Sequence, residues 1–162
     1  MQDKLTTWLW FETEAEEAAR HYASVFRNTQ IGEIVRAPGG GEPHTTEGQV
    51  LTAEFRIEGH QFVCLNGGPH PGAARTDSIS FQILCADQAE VDEYWNKLSA
   101  DGGQEVQCGW VKDRYGFSWQ IVPEILPRLM ADPDRAKAAR VTAAMMKMIK
   151  LDIAGLEAAA RG

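Results

Sequence analysis

The sequence predicts an α+β fold made of two tandem βαβββ units that form a curved mixed sheet, followed by a C-terminal helical tail. The main observation is a repeat: an apolar strand, an amphipathic helix and further strands occur in this order in residues 1–68 and again in residues 78–123. The second observation is that residues 124–162 carry a helical pattern. We expect one compact domain overall, because 162 residues suffice for a sizeable core.

The first copy begins with an aromatic-rich strand at residues 7–11. The acidic segment 12–14 then opens a helix, because a helix N-terminus favours negative charge. One face of this helix is apolar and consists of Ala15, Ala18, Ala19, Tyr22, Val25 and Phe26. A strand at 29–35 and a long extended stretch at 49–66, broken by a turn at Glu58-Gly59, complete the unit.

The second copy begins with a strand at residues 78–84, after a linker rich in glycine and proline. Asp87 is expected to cap the next helix, with Glu90 three residues later. The apolar face of this helix consists of Val91, Tyr94, Trp95 and Leu98. An extended segment at 104–111 and a closing strand at 117–122 follow.

The closing strands of the two copies can be aligned without a gap. Gly59 then matches Gly116, and Phe62 matches Trp119. If both copies have the same fold, each of these pairs occupies equivalent positions in its sheet.

In the tail, Asp132-Pro133-Asp134 predicts a helix start, because Asp caps free amides and Pro loses no hydrogen bond at the first helical position. The helix would carry an apolar ribbon that consists of Val141, Ala144, Met145, Met148 and Ile149. Another surface must cover this apolar ribbon. We leave two alternatives for that surface: the rest of the chain, or a dimer or lid contact.

Charge and composition argue against several classes of partner. The net charge is −7 and the chain has no Lys/Arg run, so we expect no nucleic-acid partner. No apolar stretch is long enough to cross a bilayer and no secretory signal pattern is visible, so we expect no membrane partner and a cytoplasmic location. The wide spacing and apolar or strand-like surroundings of Cys64, Cys85 and Cys108 favour buried, free thiols in the core.

Several motifs together resemble one protein family. They are Asn66-Gly67-Gly68-Pro69, the strand segment 79–81, the helix segment 90–95 and above all the run from Cys108 to Ile121. The whole chain, including the tail, is similar to the PhnB-like branch of the vicinal oxygen chelate superfamily, which holds glyoxalase I, bleomycin-resistance proteins and extradiol dioxygenases. The resemblance implies a glyoxalase-like fold and a homodimer with ligand clefts. Some members of the branch carry a demethylubiquinone methyltransferase label.

The resemblance also implies where a divalent metal would lie, because enzymes of the superfamily take His, Glu and some Gln ligands from the first and last strands of each unit. By the repeat register these positions are Thr7, Val63, Ser80 and Gln120. Only Gln120 is a ligand of the usual type, and a register shifted by one residue brings in Trp8 and other poor donors. We therefore predict no cofactor. A divalent metal, completed by a dimer partner, is the alternative.

Strand alternation favours a polar face in the second unit, with aromatic and aliphatic residues on the opposite face against the helix. Polar residues and rim tryptophans together give the cleft candidates Thr7, Trp8, Trp10, Ser80, Gln82, Trp110, Ser118 and Gln120. We predict that the cleft binds a small organic ligand, in the manner of bleomycin-resistance proteins, and we leave catalysis open. The alternative is a metal-dependent lyase, isomerase or dioxygenase of the vicinal oxygen chelate type.

Three other motifs have simpler interpretations. The segment Gly39-Gly40-Gly41 is followed by Glu-Pro-His and not by a helix, so it lacks the amide cradle for a methyl donor, and methyl transfer is not expected. Asp113-Arg114 is typical of a tight turn. No two histidines have the helical spacing of a pair of metal ligands. The histidines are His21, His44, His60 and His70. Catalytic residues are not predicted, and the choice of ligand depends on loops 38–48 and 67–77.

Overall fold

The computed structural model describes residues 4–162. The chain separates into two compact units, Met1–Ala74 and Arg75–Gly162. Their boundary falls inside the linker predicted at 67–77, and the tail belongs to the second unit. The single compact domain that we expected stays a prediction.

The first unit has the predicted βαβββ order. Its elements are β1 (Thr7–Phe11), α1 (Ala15–Val25), β2 (Thr29–Arg36), β3 (Val50–Ile57) and β4 (His60–Asn66). The strands form one sheet in the order β1-β4-β3-β2, in which β1 is parallel to β4 and the other neighbours are antiparallel. The predicted break at Glu58-Gly59 is the turn between β3 and β4. A short 3₁₀ turn at Pro71–Ala73 follows the sheet.

The second unit repeats this topology. Its elements are β5 (Phe81–Cys85), α2 (Gln88–Ser99), β6 (Gln104–Glu105), β7 (Trp110–Lys112) and β8 (Ser118–Pro123). The strand order β5-β8-β7-β6 and the strand directions match those of the first sheet. Gly59 and Gly116 both have a φ of 83°, and Phe62 and Trp119 lie at equivalent positions of β4 and β8. The alignment of the two copies is therefore confirmed.

Each of the helices α1 and α2 packs its predicted apolar face against the sheet of its own unit, and all residues of both faces are buried. In the first unit, Tyr22 stacks on Phe55 with ring centroids 5.3 Å apart, and Phe55 stacks on Phe62 at 4.9 Å. In the second unit, Val111 and Trp119 are buried on the corresponding sheet face. Burial of these aromatic and aliphatic surfaces is the main stabilising contribution.

Two strands of the second unit are shorter than predicted. β5 begins at Phe81 and not at Ser78, because Ser78 N donates to Thr76 Oγ1 over 3.1 Å in a turn. The extended segment predicted at 104–111 is interrupted at Cys108 and Gly109, which have φ values of 61° and 82°. This bend leaves only β6 and the start of β7 as strand.

The tail consists of three short helices, α3 (Ile125–Met130), α4 (Arg135–Met145) and α5 (Ile153–Arg161). The N-cap of α4 is Asp134 and not Asp132, because the Asp134 carboxylate accepts from the main-chain N of Ala136 and Lys137.

The tail packs against its own unit. The buried cluster that joins it to the second sheet consists of Val122, Leu126, Val141, Leu151 and Leu156, with Met145 and Met148 packed against it. Val141, Met145 and Met148 of the predicted apolar ribbon are therefore used within the chain. The prediction that one helix carries the whole ribbon is wrong, because α4 ends at Met145, and Met148 and Ile149 follow it. None of the helices in residues 4–162 is long and apolar enough to span a membrane.

Candidate ligand-binding site

The face of the second sheet opposite α2 carries the polar residues predicted for a cleft. Gln82 on β5, Gln120 on β8 and Trp110 on β7 lie directly opposite one another in neighbouring strands and form a row across the sheet. Ser118 lies on the same face, two residues before Gln120. Ser80 precedes β5, and its Oγ accepts a hydrogen bond of 2.8 Å from Gln120 Nε2. The structure thus brings together the candidates predicted in the second unit.

A pocket of about 310 Å³ lies on this side of the second sheet, at β7 and the loop before it. It is lined by Asp77, Val106, Gln107, Cys108, Trp110, Val111, Lys112 and Ser118, and its surface is mostly apolar. We call it the β7 pocket. A mostly apolar concavity with a few polar groups is the usual form of a small-molecule site.

The polar part of the β7 pocket is a cluster of three side chains. Ser118 Oγ donates to Asp77 Oδ1 over 2.7 Å, and Lys112 Nζ lies 3.1 Å from the same oxygen. These hydrogen bonds, first that of Ser118 and then that of Lys112, lower the pKa of Asp77 because they stabilise the carboxylate. Since both charged side chains are partly exposed, the ion pair contributes little to stability.

The tail of the chain holds one wall of the β7 pocket in place. The main-chain N of Cys108 donates to Met148 O, and the main-chain N of Gly109 donates to Ile149 O, both over 2.8 Å. The Cys108 Sγ lies 3.8 Å from Met146 Sδ. The bend before β7 is therefore fixed by backbone contacts with the segment after α4.

Cys108 differs from the other two cysteines of the chain. Cys108 is half-buried, whereas Cys64 and Cys85 are buried, and none of the three forms a disulfide. Burial raises the pKa of the Cys64 thiol to about 12. The thiol of Cys108 is therefore the accessible one, and it lies in the β7 pocket.

In the first unit, the expected position of Thr7 on the open sheet face is wrong. Thr7 lies opposite Phe62 on the face covered by α1, and its Oγ1 is 2.9 Å from His60 Nε2. Trp8 lies opposite Val63 on the open face and is 59% exposed. The pairing of β1 with β4 sets this register, and a difference of one residue exchanges the two faces of a strand.

Trp10 lies on the same face as Trp8, but its indole is used by the segment that follows β4. Trp10 Nε1 donates to Gly68 O over 2.9 Å, and the Trp10 and His70 rings meet edge-on with centroids 5.2 Å apart. A side chain at Gly67 would overlap the Trp10 ring, so glycine is required there by close approach. Trp10 therefore holds the linker in place.

The residues at the implied metal positions do not fit a divalent ion. Trp8 and Val63 offer no donor for a hard or borderline cation, and Gln120 is hydrogen-bonded to Ser80. Within residues 4–162, no group of three His, Cys, Asp or Glu side chains could hold a metal ion. His70 has a structural partner, because its Nδ1 accepts from Gly72 N.

The Asp113 carboxylate organises a turn, as the Asp113-Arg114 motif predicts. Asp113 Oδ1 accepts from the main-chain N of Tyr115 and Phe117, and Oδ2 accepts from Trp119 Nε1 over 2.8 Å. Asp113 is buried. Its bonds connect the turn between β7 and β8 to the aromatic core, so its role is structural.

A second pocket, of about 240 Å³, lies at the start of α1 in the first unit. Its lining includes the acidic residues Glu12, Glu16 and Glu17, together with His44 and Asn66. Glu16 is paired with Arg20 over 2.7 Å. The lining of this pocket is more polar and more acidic than that of the mostly apolar β7 pocket, which we regard as the candidate site.

The chain is similar to a known protein family and to several solved structures. The sequence model of the family described as 3-demethylubiquinone-9 3-methyltransferase matches residues 3–122. The chain belongs to this family. The matched range runs from the first βαβββ repeat to the end of the second and stops before the tail. The resemblance that we expected over the whole chain therefore does not extend to the tail in this match.

Solved structures are similar to the chain in fold. The PhnB protein from Bacillus cereus is 31% identical and has a TM-score of 0.65, with 75% of this chain and 99% of that chain covered. Protein PA1353 from Pseudomonas aeruginosa is 17% identical with a TM-score of 0.61, covering 76% and 98%, which shows the fold alone. No curated protein matches the chain. The predicted PhnB-like branch is thus confirmed.

Six of the eight residues that line the β7 pocket of this PhnB-like protein were not predicted, and three of the six have ionisable side chains: Asp77, Lys112 and Cys108. Lys112 follows Trp110 by two residues, so strand alternation could have placed it on the same face. Asp77 lies in the linker before β5, where the sequence has no periodic signal. The prediction that Cys108 is a buried core thiol is wrong, because the bend at its positive φ leaves it half-buried at the pocket.

Proposed function

We propose that this PhnB-like protein binds a small organic molecule in the β7 pocket and does so without a bound divalent metal. The observation that carries the proposal is the combination of a mostly apolar pocket with a hydrogen-bonded charge cluster at Asp77, Lys112 and Ser118. The apolar wall would exclude water from the ligand, and the cluster would orient it.

The alternative, a metal-dependent lyase, isomerase or dioxygenase, requires a ligand set that the described residues do not provide. Elemental analysis of protein purified without a chelator or an affinity tag tests this point. We expect no stoichiometric nickel, zinc, iron or manganese. One equivalent of any of them per chain would favour the enzyme.

We do not propose methyl transfer, although the family description names it. The segment Gly39-Gly40-Gly41 lies in the loop between β2 and β3, so the next element after it is a strand. A methyl donor of the adenosine type is usually held where a glycine-rich turn leads into a helix, since the free amides of the helix N-terminus face the ligand.

The position of Cys108 allows a direct test of the proposed site. We expect that 1-naphthalenemethanol, a neutral two-ring probe, slows alkylation of Cys108 by iodoacetamide, as measured by mass spectrometry of the labelled peptide. Val106→Trp should fill the pocket and abolish both the protection and the binding seen by calorimetry.

Val35→Trp is the matched control, because Val35 and Val106 are 37% and 36% exposed and only Val106 lines the pocket. Val35→Trp should bind the probe like the wild-type protein. Protection that survives in Val106→Trp would place the ligand elsewhere, and a wild-type protein without any protection would refute binding in the β7 pocket.

We further propose a cytoplasmic homodimer, with no nucleic-acid or membrane partner. The net charge of −7 argues against a nucleic-acid partner. The apolar side chains of Met146 and Ile149 in the tail are 56% and 52% exposed, and they favour a contact with a second copy of the chain. Light scattering at micromolar concentration should give twice the chain mass of 17.9 kDa. A mass of one chain would contradict the dimer.

A further inference from the structure

Resting on the proposed function, we infer that the ligand of the β7 pocket is an aromatic molecule with one anionic group, whose ring lies against Trp110 and whose anion binds Lys112. Carboxylates and sulfonates on a one- or two-ring system are the chemical class. The reason is that the Lys112 ammonium in the pocket has N–H groups beyond the one that Asp77 accepts.

The apolar part of the pocket suits a flat ring. Trp110 and Val106 line the pocket together with the half-buried Cys108. Trp110 is anchored in β7 opposite Gln120, so its position is set by the sheet and not by a loop. A rigid indole offers a large contact area to another ring at little entropic cost.

The polar cluster contains hydrogen-bond donors that no group of the cluster accepts. Ser118 has one hydroxyl proton, and it is donated to Asp77 Oδ1. The ammonium of Lys112 has three N–H groups, and the same Asp77 oxygen accepts one of them. Two ammonium protons are therefore available beside the apolar wall.

The two charges differ in their exposure, which favours a ligand that is an acceptor. The side chain of Asp77 is 61% exposed and that of Lys112 is 36% exposed, so the carboxylate is the better hydrated partner. A bound molecule that covers Lys112 removes water from the free N–H groups. A neutral apolar ligand or an amine leaves these groups unpaired, whereas a carboxylate replaces the lost bonds with charge-assisted ones.

The same geometry gives Asp77 a defined role. Its carboxylate competes with the ligand anion for Lys112, because both would accept from one ammonium group. Asp77 is therefore a positioning residue that holds Lys112 over the pocket in the free protein and limits affinity for the ligand.

Calorimetric titration with three probes tests the inference: 1-naphthoate, 1-naphthalenemethanol and 1-naphthylmethylammonium. We expect naphthoate to bind about tenfold more tightly than the alcohol, since a charge-assisted bond contributes roughly that factor, and the ammonium probe to bind most weakly. Lys112→Met should remove the preference for naphthoate. Asp77→Asn should increase naphthoate affinity.

Lys97→Met is the matched control for charge, because Lys97 also belongs to one exposed ion pair, with Glu93, and does not line the pocket. It should retain the naphthoate preference. Equal affinity for the three probes, or tighter binding of the ammonium probe, would overturn the anionic class while leaving the binding function intact. Failure of all three probes to bind would refute the proposed function and this inference with it.

Discussion

The side chain of Asn66, at the end of β4, caps helix α1 at Ala15, which is 51 residues earlier in the chain. Asn66 Oδ1 accepts a hydrogen bond of 2.8 Å from Ala15 N, and its Nδ2 donates to Val50 O over 2.9 Å. Glu14, the local N-cap residue, makes no side-chain cap bond. One buried amide thus joins the first turn of α1 to the ends of β3 and β4.

Asn66→Ala should destabilise the protein by about 1–3 kcal/mol, because it removes a helix cap and leaves the buried polar groups at Ala15 and Val50 without partners. Urea unfolding followed by circular dichroism measures the loss. Glu14→Ala is the control, and it should change the free energy of unfolding by less than about 0.5 kcal/mol. Equal effects of the two substitutions would mean that the cap is local after all.

Asp113→Asn tests the turn between β7 and β8. An amide has only one oxygen, so it cannot accept from the main-chain N of Phe117 and also from Trp119 Nε1 at the other oxygen position. We expect a loss of about 2 kcal/mol in the free energy of unfolding, since one buried donor stays unpaired.

The control for this prediction is Asp101→Asn. Asp101 is exposed, and its Oδ2 lies 3.7 Å from Arg114 Nη2 in a surface ion pair. Such pairs contribute about 0–1 kcal/mol, so the control should be nearly neutral. Near-equal unfolding midpoints for both variants would contradict the structural role of Asp113.

Gln88 connects α2 to the tail. Gln88 Nε2 donates to Leu151 O over 3.1 Å, and Gln88 Oε1 accepts from Ile153 N over 2.8 Å, at the start of α5. Gln88→Ala should therefore speed hydrogen exchange in α5 by at least about tenfold, corresponding to a loss of about 1.4 kcal/mol in local stability. Exchange in α1 should not change.

Glu93→Ala provides a comparison on the same helix, because Glu93 pairs with Lys97 at the surface. Its effect on exchange in α5 should be negligible. If Gln88→Ala left the exchange of α5 at the wild-type rate, the tail would be held by its apolar cluster alone.

The buried thiol of Cys64 makes stability depend on pH in the alkaline range. The Cys64 pKa is raised by burial from 9.0 to about 12, so the folded chain keeps a proton that the unfolded chain loses above pH 9. This contribution is complete below pH 9, and it is lost as the pH rises toward 12. We expect the urea midpoint of the wild-type protein to fall more steeply between pH 8 and 10 than that of Cys64→Ala.

Val63→Ala serves as the control for this measurement, because Val63 is buried on the same strand as Cys64 and carries no titratable group. Its pH profile should be parallel to that of the wild-type protein. A Cys64→Ala profile parallel to the wild-type profile would show that Cys64 does not titrate differently in the two states.

Much of the fold could be predicted because local patterns and tertiary packing agree. The apolar stripe of α2 is buried as predicted, and Asp87 caps this helix through a bond of 2.9 Å to Glu90 N. The alternation in β8 placed Gln120 on the open face and Trp119 in the core. These features depend on neighbours within a few residues, which a sequence pattern contains.

The less predictable features depend on residues that are far apart in the chain. Thr7 was placed on the wrong face because its register is set by pairing with Phe62. The α4 cap was placed two residues early because Asp132 and Asp134 are equally good local candidates. The β7 pocket combines Asp77 with Lys112 through a contact that no local pattern contains.

The sequence alone was enough to establish the repeated βαβββ units, the burial faces of α1 and α2 and the PhnB-like family, because these depend on periodicity and on motifs continuous in the chain. The three-dimensional packing was needed to select the register of β1, the amide that caps α1, the surface against which the tail packs and the charged residues of the β7 pocket. Each of these requires a specific distance between remote residues, and such distances exist only after the chain has folded.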